Sequence, residues 1–235
     1  MDRVAWVIGG GSGIGRAAAV ALAASGARVV VSGRRAESLD ETVGLAGDRA
    51  TAIPFDATDA EALRAAHERV VTSVGPVIEL VVAAGLNAPK RFWRDQSMAE
   101  FEAIVATNLT AVARAIDVVL PSMRDAARGT IVVVSSYAAW LPNPNSGVAY
   151  SASKTALGSL CVQLNAQEGA NGIRATHLCP GDVDSDFLGM RPVVPDEAAR
   201  QRMLQPEDVA RAIQFVIDSP PHVRIDELVI TPTGP

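Results

Sequence analysis

The chain has 235 residues, 49% of them hydrophobic and 20% charged, with a formal net charge of -5. That length suits one large α/β domain with a substantial core, and the apolar fraction excludes a disordered chain. Acidic and basic residues are interspersed without a basic stripe or tail, so nucleic acid is not an expected partner.

In chain order, short apolar runs rich in β-formers alternate with longer Ala-rich runs. VAWVI (4–8) reads as a buried strand and 13–26 as a helix closed by Gly26. A strand over 27–33, a helix over 36–47, a strand over 50–56 and an amphipathic helix over 59–75 follow. The pattern then predicts a strand over 78–85, one long helix over 97–125, a strand over 129–136 and a helix over 150–169. A strand over 173–181, a helix over 206–219 and a last strand over 225–231 complete the chain. Strands that are apolar throughout, separated by helices, predict a doubly wound, Rossmann-like parallel sheet of about seven strands with helices on both faces.

Residues 1–235 read as a single domain, since no repeat, linker or low-complexity segment interrupts them. The N-terminus lacks the pattern of a secretory leader, and no run reaches the about 18 uninterrupted apolar residues of a spanning helix. A cytoplasmic protein with no membrane partner is expected. Cys161 and Cys179 lie among apolar neighbours and read as small core residues, which fits a reducing compartment.

In such sheets ligands bind beyond the carboxyl ends of the strands. GGGSGIG follows the first strand and opens the first helix, with Gly9, Gly13 and Gly15 spaced G-x-x-x-G-x-G. A turn of this kind lets the backbone approach a pyrophosphate, and the helix N-terminus offers free N–H groups and partial positive charge. The second strand ends VVVSGRR. An acidic residue there would bind the ribose 2′-hydroxyl of NAD, whereas Arg34 and Arg35 suit a 2′-phosphate. NADP(H) is therefore the expected cofactor, with NAD(H) as the runner-up. Arg16 would add positive charge nearby. Asp56, ending the third strand, would accept from the adenine amine or cap the next helix.

YSASK sets Tyr150 and Lys154 at i and i+4, on one helix face. A tyrosine has an ordinary pKa of about 10. A neighbouring ammonium stabilises the phenolate, and a phenol tuned downwards can pass a proton to or from a substrate oxygen. Lys154 would also reach the cofactor ribose. Ser136, at the preceding strand end, can hold the same substrate oxygen, with Ser135 as the runner-up. Asn108 sits in the long helix among Ile104, Val105, Leu109 and Val112, where a buried amide needs partners. A water between Asn108 and Lys154 would complete a proton route.

The glycine turn, the asparagine, the serine and the Tyr–Lys pair, in this order, resemble the compact single-domain type of the short-chain dehydrogenase/reductase family. The resemblance runs along essentially the whole chain, through GGGSGIG, AAG (83–85), TNLTA, VSS, YSASK and PGDVDS. It implies Tyr150 as general acid/base, Ser136 orienting the carbonyl, Lys154 assisting and Asn108 supporting the relay. For the cofactor it implies Gly9, Gly11, Ser12, Gly13 and Ile14 at the turn, and Ala84 and Gly85 after the fourth strand. Pro180, Gly181, Val183 and Ser185 follow the sixth strand in the same role, beside Arg34, Asp56, Tyr150 and Lys154.

The chain departs from the family pattern in places. Val82-Ala83-Ala84-Gly85 replaces the usual Asn-Asn-Ala-Gly, Ile8 stands where Thr commonly precedes the first glycine, and Ser185 stands where Thr is usual. The ending LVITPTGP resembles the branch with a Pro-Thr stretch. The resemblance implies an oxidoreductase that interconverts a secondary alcohol and a ketone or aldehyde, assembled as a homodimer or homotetramer. The rival, a nucleotide-sensing regulator without turnover, usually goes with a broken Tyr–Lys pair, and here the pair is intact.

Segments 86–95, 137–145 and 186–203 follow the strand ends around the nicotinamide position. Their Phe92, Trp93, Trp140, Leu141, Phe187, Leu188 and Met190 would wall an apolar substrate pocket under a lid. Arg191 and Lys90 read as solvated surface charges in preference to anion contacts. His67, His177 and His222 show no metal-ligand spacing, and the chemistry needs no metal.

Overall fold

The computed structural model describes residues 3–141 and 143–234. Pro142 of the expected pocket loop and Pro235 of the Pro-Thr ending lie outside the described residues. Strand β1 (Val4–Ile8) is buried along its whole length. Val4, Trp6 and Ile8 enter one core while Ala5 and Val7 enter the other, as alternation dictates for an apolar run covered on both faces.

The first half continues with α1 (Gly13–Ala24), β2 (Arg28–Ser32), α2 (Ala36–Ala46), β3 (Ala50–Ala52), α3 (Ala60–Ser73) and β4 (Glu79–Val82). The second half comprises α4 (Met98–Val105), α5 (Ala111–Asp125), β5 (Gly129–Val134), the short α6 (Tyr137–Trp140) and α7 (Val148–Glu168). Strand β6 (Ile173–Pro180), the short α8 (Glu197–Arg200), α9 (Pro206–Asp218) and β7 (Glu227–Ile230) complete it. All seven strands pair in parallel, in the order β3-β2-β1-β4-β5-β6-β7. Strand order therefore reverses between β1 and β4, and the connections leaving them part over a crevice.

Helices α1, α2 and α9 cover one face through Ala18, Leu22, Leu39, Val209 and Ile213. Helices α3, α5 and α7 cover the other through Leu63, Val70, Val112, Val119, Leu157 and Cys161. Trp6 anchors this second core, and its indole N–H donates to Ser32 Oγ at 2.9 Å. His67 stacks on that indole with ring centroids 5.9 Å apart, so it belongs to the core wall.

Two elements differ from the sequence expectation. Strand β3 ends at Ala52 because Pro54 offers no N–H, although Ile53 and Phe55 still donate to Val31 and Gly33 carbonyls at 3.0 and 2.9 Å. The long helix predicted over 97–125 is α4 and α5 joined by a single π-turn over 106–110. Ser97 and Glu100 form a capping box at its start. By length and composition this run could cross a membrane, with mean hydropathy 1.6 in its most apolar window. In the fold, its Val112, Ala115, Ile116 and Val119 pack on the sheet.

Candidate active site

The strand ends of β1, β2, β4, β5 and β6 open into one cleft of about 800 Å³. Every residue proposed from sequence for catalysis or cofactor binding borders it, except Asn108, which lies fully buried behind Leu86.

At one end lies the glycine turn. Gly9 has φ +88°, and a Cβ there would stand 2.4 Å from the Ala84 nitrogen. A Cβ on Gly15 would meet the Gly9 carbonyl oxygen at 2.1 Å, so the first turn of α1 rests directly on the loop. Ser12 is the extended N-cap of α1, its hydroxyl is not spent on the helix, and no acidic residue occupies the first turn. The free N–H groups of that turn and the space left by absent side chains form a cradle suited to a dinucleotide pyrophosphate.

Arg34 and Arg35 border the cleft beyond β2 and are exposed. Among the described residues no carboxylate forms an ion pair with Arg34. Asp56 Oδ1 accepts the Thr58 N–H at 2.9 Å and its hydroxyl at 2.8 Å. The Thr58 N–H, then its hydroxyl and last the field of Arg34, hold this carboxyl below its usual range. Asp56 does not cap the next helix: Asp59 caps α3, accepting from Glu61 and Ala62. Arg16 is turned away from the ribose end. It donates to the Gly11 carbonyl and to Glu41, both at 2.6 Å, and to Thr42 Oγ1 at 3.1 Å, so its charge braces the turn against α2.

At the other end, α7 presents Tyr150 and Lys154 on one face. Lys154 is 3% exposed, and its ammonium donates to the Val134 carbonyl at 2.9 Å. Burial pushes its pKa down to about 8. Tyr150 differs from expectation. Burial raises the phenol, opposed by the Ser136 hydroxyl that faces it and then by the charges of Arg91 and Arg191. Nζ of Lys154 stands 5.9 Å from the Tyr150 ring centroid and is turned to the Val134 carbonyl.

Ser135 and Ser136 separate cleanly. Ser135 is buried and its hydroxyl donates to the Lys154 carbonyl at 3.1 Å. Ser136 caps α6, accepting from the Ala138 N–H at 3.2 Å, and faces Tyr150. Asn108 clamps Leu86, accepting its N–H at 2.7 Å and donating to its carbonyl at 2.9 Å and to Ser153 Oγ at 3.2 Å. Gly85 lies between the two helices: a Cβ there would be 3.7 Å from Lys154 Nζ and 3.9 Å from Asn108 Oδ1. The opposite wall is the loop after β6, where Gly181 donates to the Ile230 carbonyl at 2.7 Å and Ser185 faces Gly13.

The apolar wall is only half as expected. Phe187, Leu188 and Met190 border the cleft, and the Phe187 ring tilts against Tyr150 at 5.9 Å. Phe92, Trp93, Trp140 and Leu141 do not border it, and Trp93 is 79% exposed. Leu86, Ala103, Ala106 and the unanticipated Arg91 stand in their place. Arg191 also borders the cleft, partly exposed and paired there with the exposed Asp182. Away from the cleft, His177, Cys179 and Glu227 bring possible ligand atoms within 4.8 Å of one another, a cross-strand cluster that linear spacing does not reveal. There His177 Nδ1 is already bonded to Glu227 at 2.9 Å, and burial holds the Cys179 thiol up at about 12.

Residues 3–192 match the family described as short chain dehydrogenase. Glycine betaine reductase ATRR of Emericella nidulans is 33% identical over 98% of this chain, which spans 19% of that protein's length. An uncharacterized oxidoreductase of Staphylococcus saprophyticus subsp. saprophyticus is 31% identical, over 98% of this chain and 97% of its own. Among solved structures, the alcohol dehydrogenase from the archaeon Thermococcus sibiricus complexed with 5-hydroxy-NADP superposes with a TM-score of 0.88 at 26% identity, covering 99% of this chain and 97% of that one. The closed form of serine dehydrogenase complexed with NADP+ gives 0.86 at 26% identity, covering 97% and 94%.

Proposed function

Because the chain belongs to the short chain dehydrogenase family and is an NAD(P)-dependent oxidoreductase, we propose that it prefers NADP(H) and interconverts a secondary alcohol and a ketone or aldehyde. The observation that carries this reading is the placing of Tyr150, with Ser136 facing it and Lys154 on the same helix face, in a cleft whose far end is the glycine cradle.

The cradle of Gly9, Gly11, Ser12, Gly13 and Ile14 would hold the pyrophosphate, and Ala84, Gly85, Pro180, Gly181, Val183 and Ser185 would line the path to the reacting end. When bound, the nicotinamide supplies or accepts the hydride. Tyr150 exchanges the proton with the substrate oxygen, which Ser136 orients by hydrogen bond. A phenol kept protonated by burial is primed to donate in the reductive direction. Lys154 stands beside it with a labile proton and, released from the Val134 carbonyl, would reach the ribose. Asn108 positions the Leu86 peptide and, through Ser153, the α7 turn that carries Tyr150. Arg34, exposed and unpaired at the ribose end, supports the NADP(H) preference, and Asp56 is placed for the adenine amine. Residues 1–235 act as one domain, a reading supported by a single sheet drawn from residues 4 to 230. Homodimer or homotetramer assembly through α4–α5 and α7 is supported by the exposed Met98 and Val162 on those helices.

The test is NADPH oxidation against a panel of ketones and aldehydes, beside Tyr150→Phe. Turnover should fall by about a hundredfold or more in the variant while NADPH still binds. Undiminished turnover in Tyr150→Phe would remove the proton role given to that residue.

A further inference from the structure

We propose that the substrate is a hydroxy or oxo acid whose carboxylate is received by Arg91, with Arg191 as the second cation beside it. This rests on the reading of Tyr150 as the group that meets the reacting oxygen.

Arg91 lies in the loop between β4 and α4 and is 5% exposed, yet it borders the cleft. Its carbonyl accepts the Val148 N–H at 3.0 Å, at the start of α7. Gly147, at φ +97°, packs so close that a Cβ there would stand 2.8 Å from the Arg91 Cβ. The side chain is thereby threaded past the start of the helix that carries Tyr150. Nε donates to the Ala88 carbonyl at 2.8 Å and Nη2 to the Met190 carbonyl at 2.5 Å. Among the described residues, Nη1 has no acceptor and no carboxylate forms an ion pair with this guanidinium.

A buried cation without a counter-ion is unfavourable, and a ligand carboxylate at the open Nη1 would offset that cost. Arg191 borders the same cleft, and its like charge acts on Arg91, as both arginines act on the Tyr150 phenol. The acids that border this end are Asp182, already engaged by Arg191, and the exposed Asp186. The open Nη1 of Arg91, with the second N–H of Nη2 beside it, leaves one edge of the planar guanidinium to meet a carboxylate. A phosphate dianion would bring more charge against Asp182 and Asp186, so the carboxylate is the better fit. Leu86, Phe187 and Met190 leave apolar walls for a short carbon stem.

Arg91 could instead serve only as a bolt between the lid and α7. Removing it would then weaken acids and neutral analogues alike, which separates the two roles. Wild type, Arg91→Met and Arg91→Lys are assayed by NADPH oxidation with acetoacetate against acetoacetamide and pyruvate against pyruvamide. The same pairs are titrated calorimetrically into the NADP+-loaded proteins, so that binding is read even where turnover is slow. In wild type the acid should be favoured over its amide by about tenfold to a hundredfold in kcat/KM or affinity. That preference, read as the ratio of acid to amide within each protein so that any general loss cancels, should vanish in Arg91→Met and return in part in Arg91→Lys. Equal or better binding of the amides, or an acid preference intact in Arg91→Met, overturns the assignment. If Arg91→Met fails to fold, the wild-type comparison and Arg91→Lys decide by the same criteria. Failure to bind either nucleotide strikes the proposed function itself, and is distinct from nucleotide binding without acid preference.

Discussion

Lys154 carries its charge against the grain of its surroundings. Its folded pKa of about 8 lies below the ordinary 10.5, and the cause is burial. A lysine shifted this way opposes folding while both folded and unfolded states are protonated, below about 8, and the opposition fades as pH rises towards 10.5. Replacing it with methionine fills the same space without a charge but leaves the Val134 carbonyl without its donor. The expected net effect is that Lys154→Met is more stable than wild type by about 1–3 kcal/mol near neutral pH. The gap should close as the pH approaches 10.5, read from urea midpoints across that range. Turnover should be lost in the same variant, and an absence of any gap near neutral pH would show that the ammonium is better solvated than its burial implies. Arg34 presents the opposite case, an exposed charge whose worth appears only with ligand. Arg34→Asp should lower the NADPH-to-NADH ratio of kcat/KM by about tenfold or more, because a carboxylate repels the 2′-phosphate and accepts from a 2′-hydroxyl. An unchanged ratio would remove Arg34 from the argument for NADP(H).

At the scale of elements, the π-turn between α4 and α5 is the feature on which the site depends most. The extra residue over 106–110 turns Asn108 inward, where its amide meets both polar groups of the Leu86 peptide. Asn108→Ala should cost about 1–3 kcal/mol, since two part-buried backbone groups lose their partners. It should also lower kcat more than it weakens NADPH binding, measured by steady-state kinetics beside nucleotide titration. A loss of stability with kcat untouched would reduce Asn108 to a brace. Nothing in ATNLT announces the π-turn, because weak helix formers such as Thr and Asn do not distinguish a wider turn from an ordinary helical one. The continuous apolar strands were legible, as was the switch from strand to helix at the glycine turn, since regular backbone imposes a period on the sequence. Loops impose none. Hence Phe92 and Trp93 read as pocket wall, although Trp93 is exposed, while nothing in the sequence singled out Arg91, their neighbour.

Over the whole molecule, the cleft exists only because parallel pairing brings distant segments to one edge of the sheet. Gly9 and Gly13 follow β1, Arg34 follows β2, Gly85 follows β4, Ser136 follows β5 and Ser185 follows β6. The lid beyond β6 is fastened back to the body by the Val183–Leu204 bridge and by Arg200 on Asp184 at 2.7 Å. Residues so far apart in the chain share no site in the unfolded state, so a ligand that spans them binds the folded form alone and stabilises all of it at once. At about a hundredfold excess over its Kd, one bound nucleotide contributes about 2.7 kcal/mol, which for a chain of this size raises the thermal midpoint by about 5–10 °C. Scanning the protein at equal concentrations of NADP+ and NAD+ should give the larger rise with NADP+, growing with the logarithm of concentration. Equal rises would leave the cleft a dinucleotide site without the preference drawn from Arg34. No rise with either nucleotide would mean that the glycine cradle, despite its shape, does not hold a pyrophosphate.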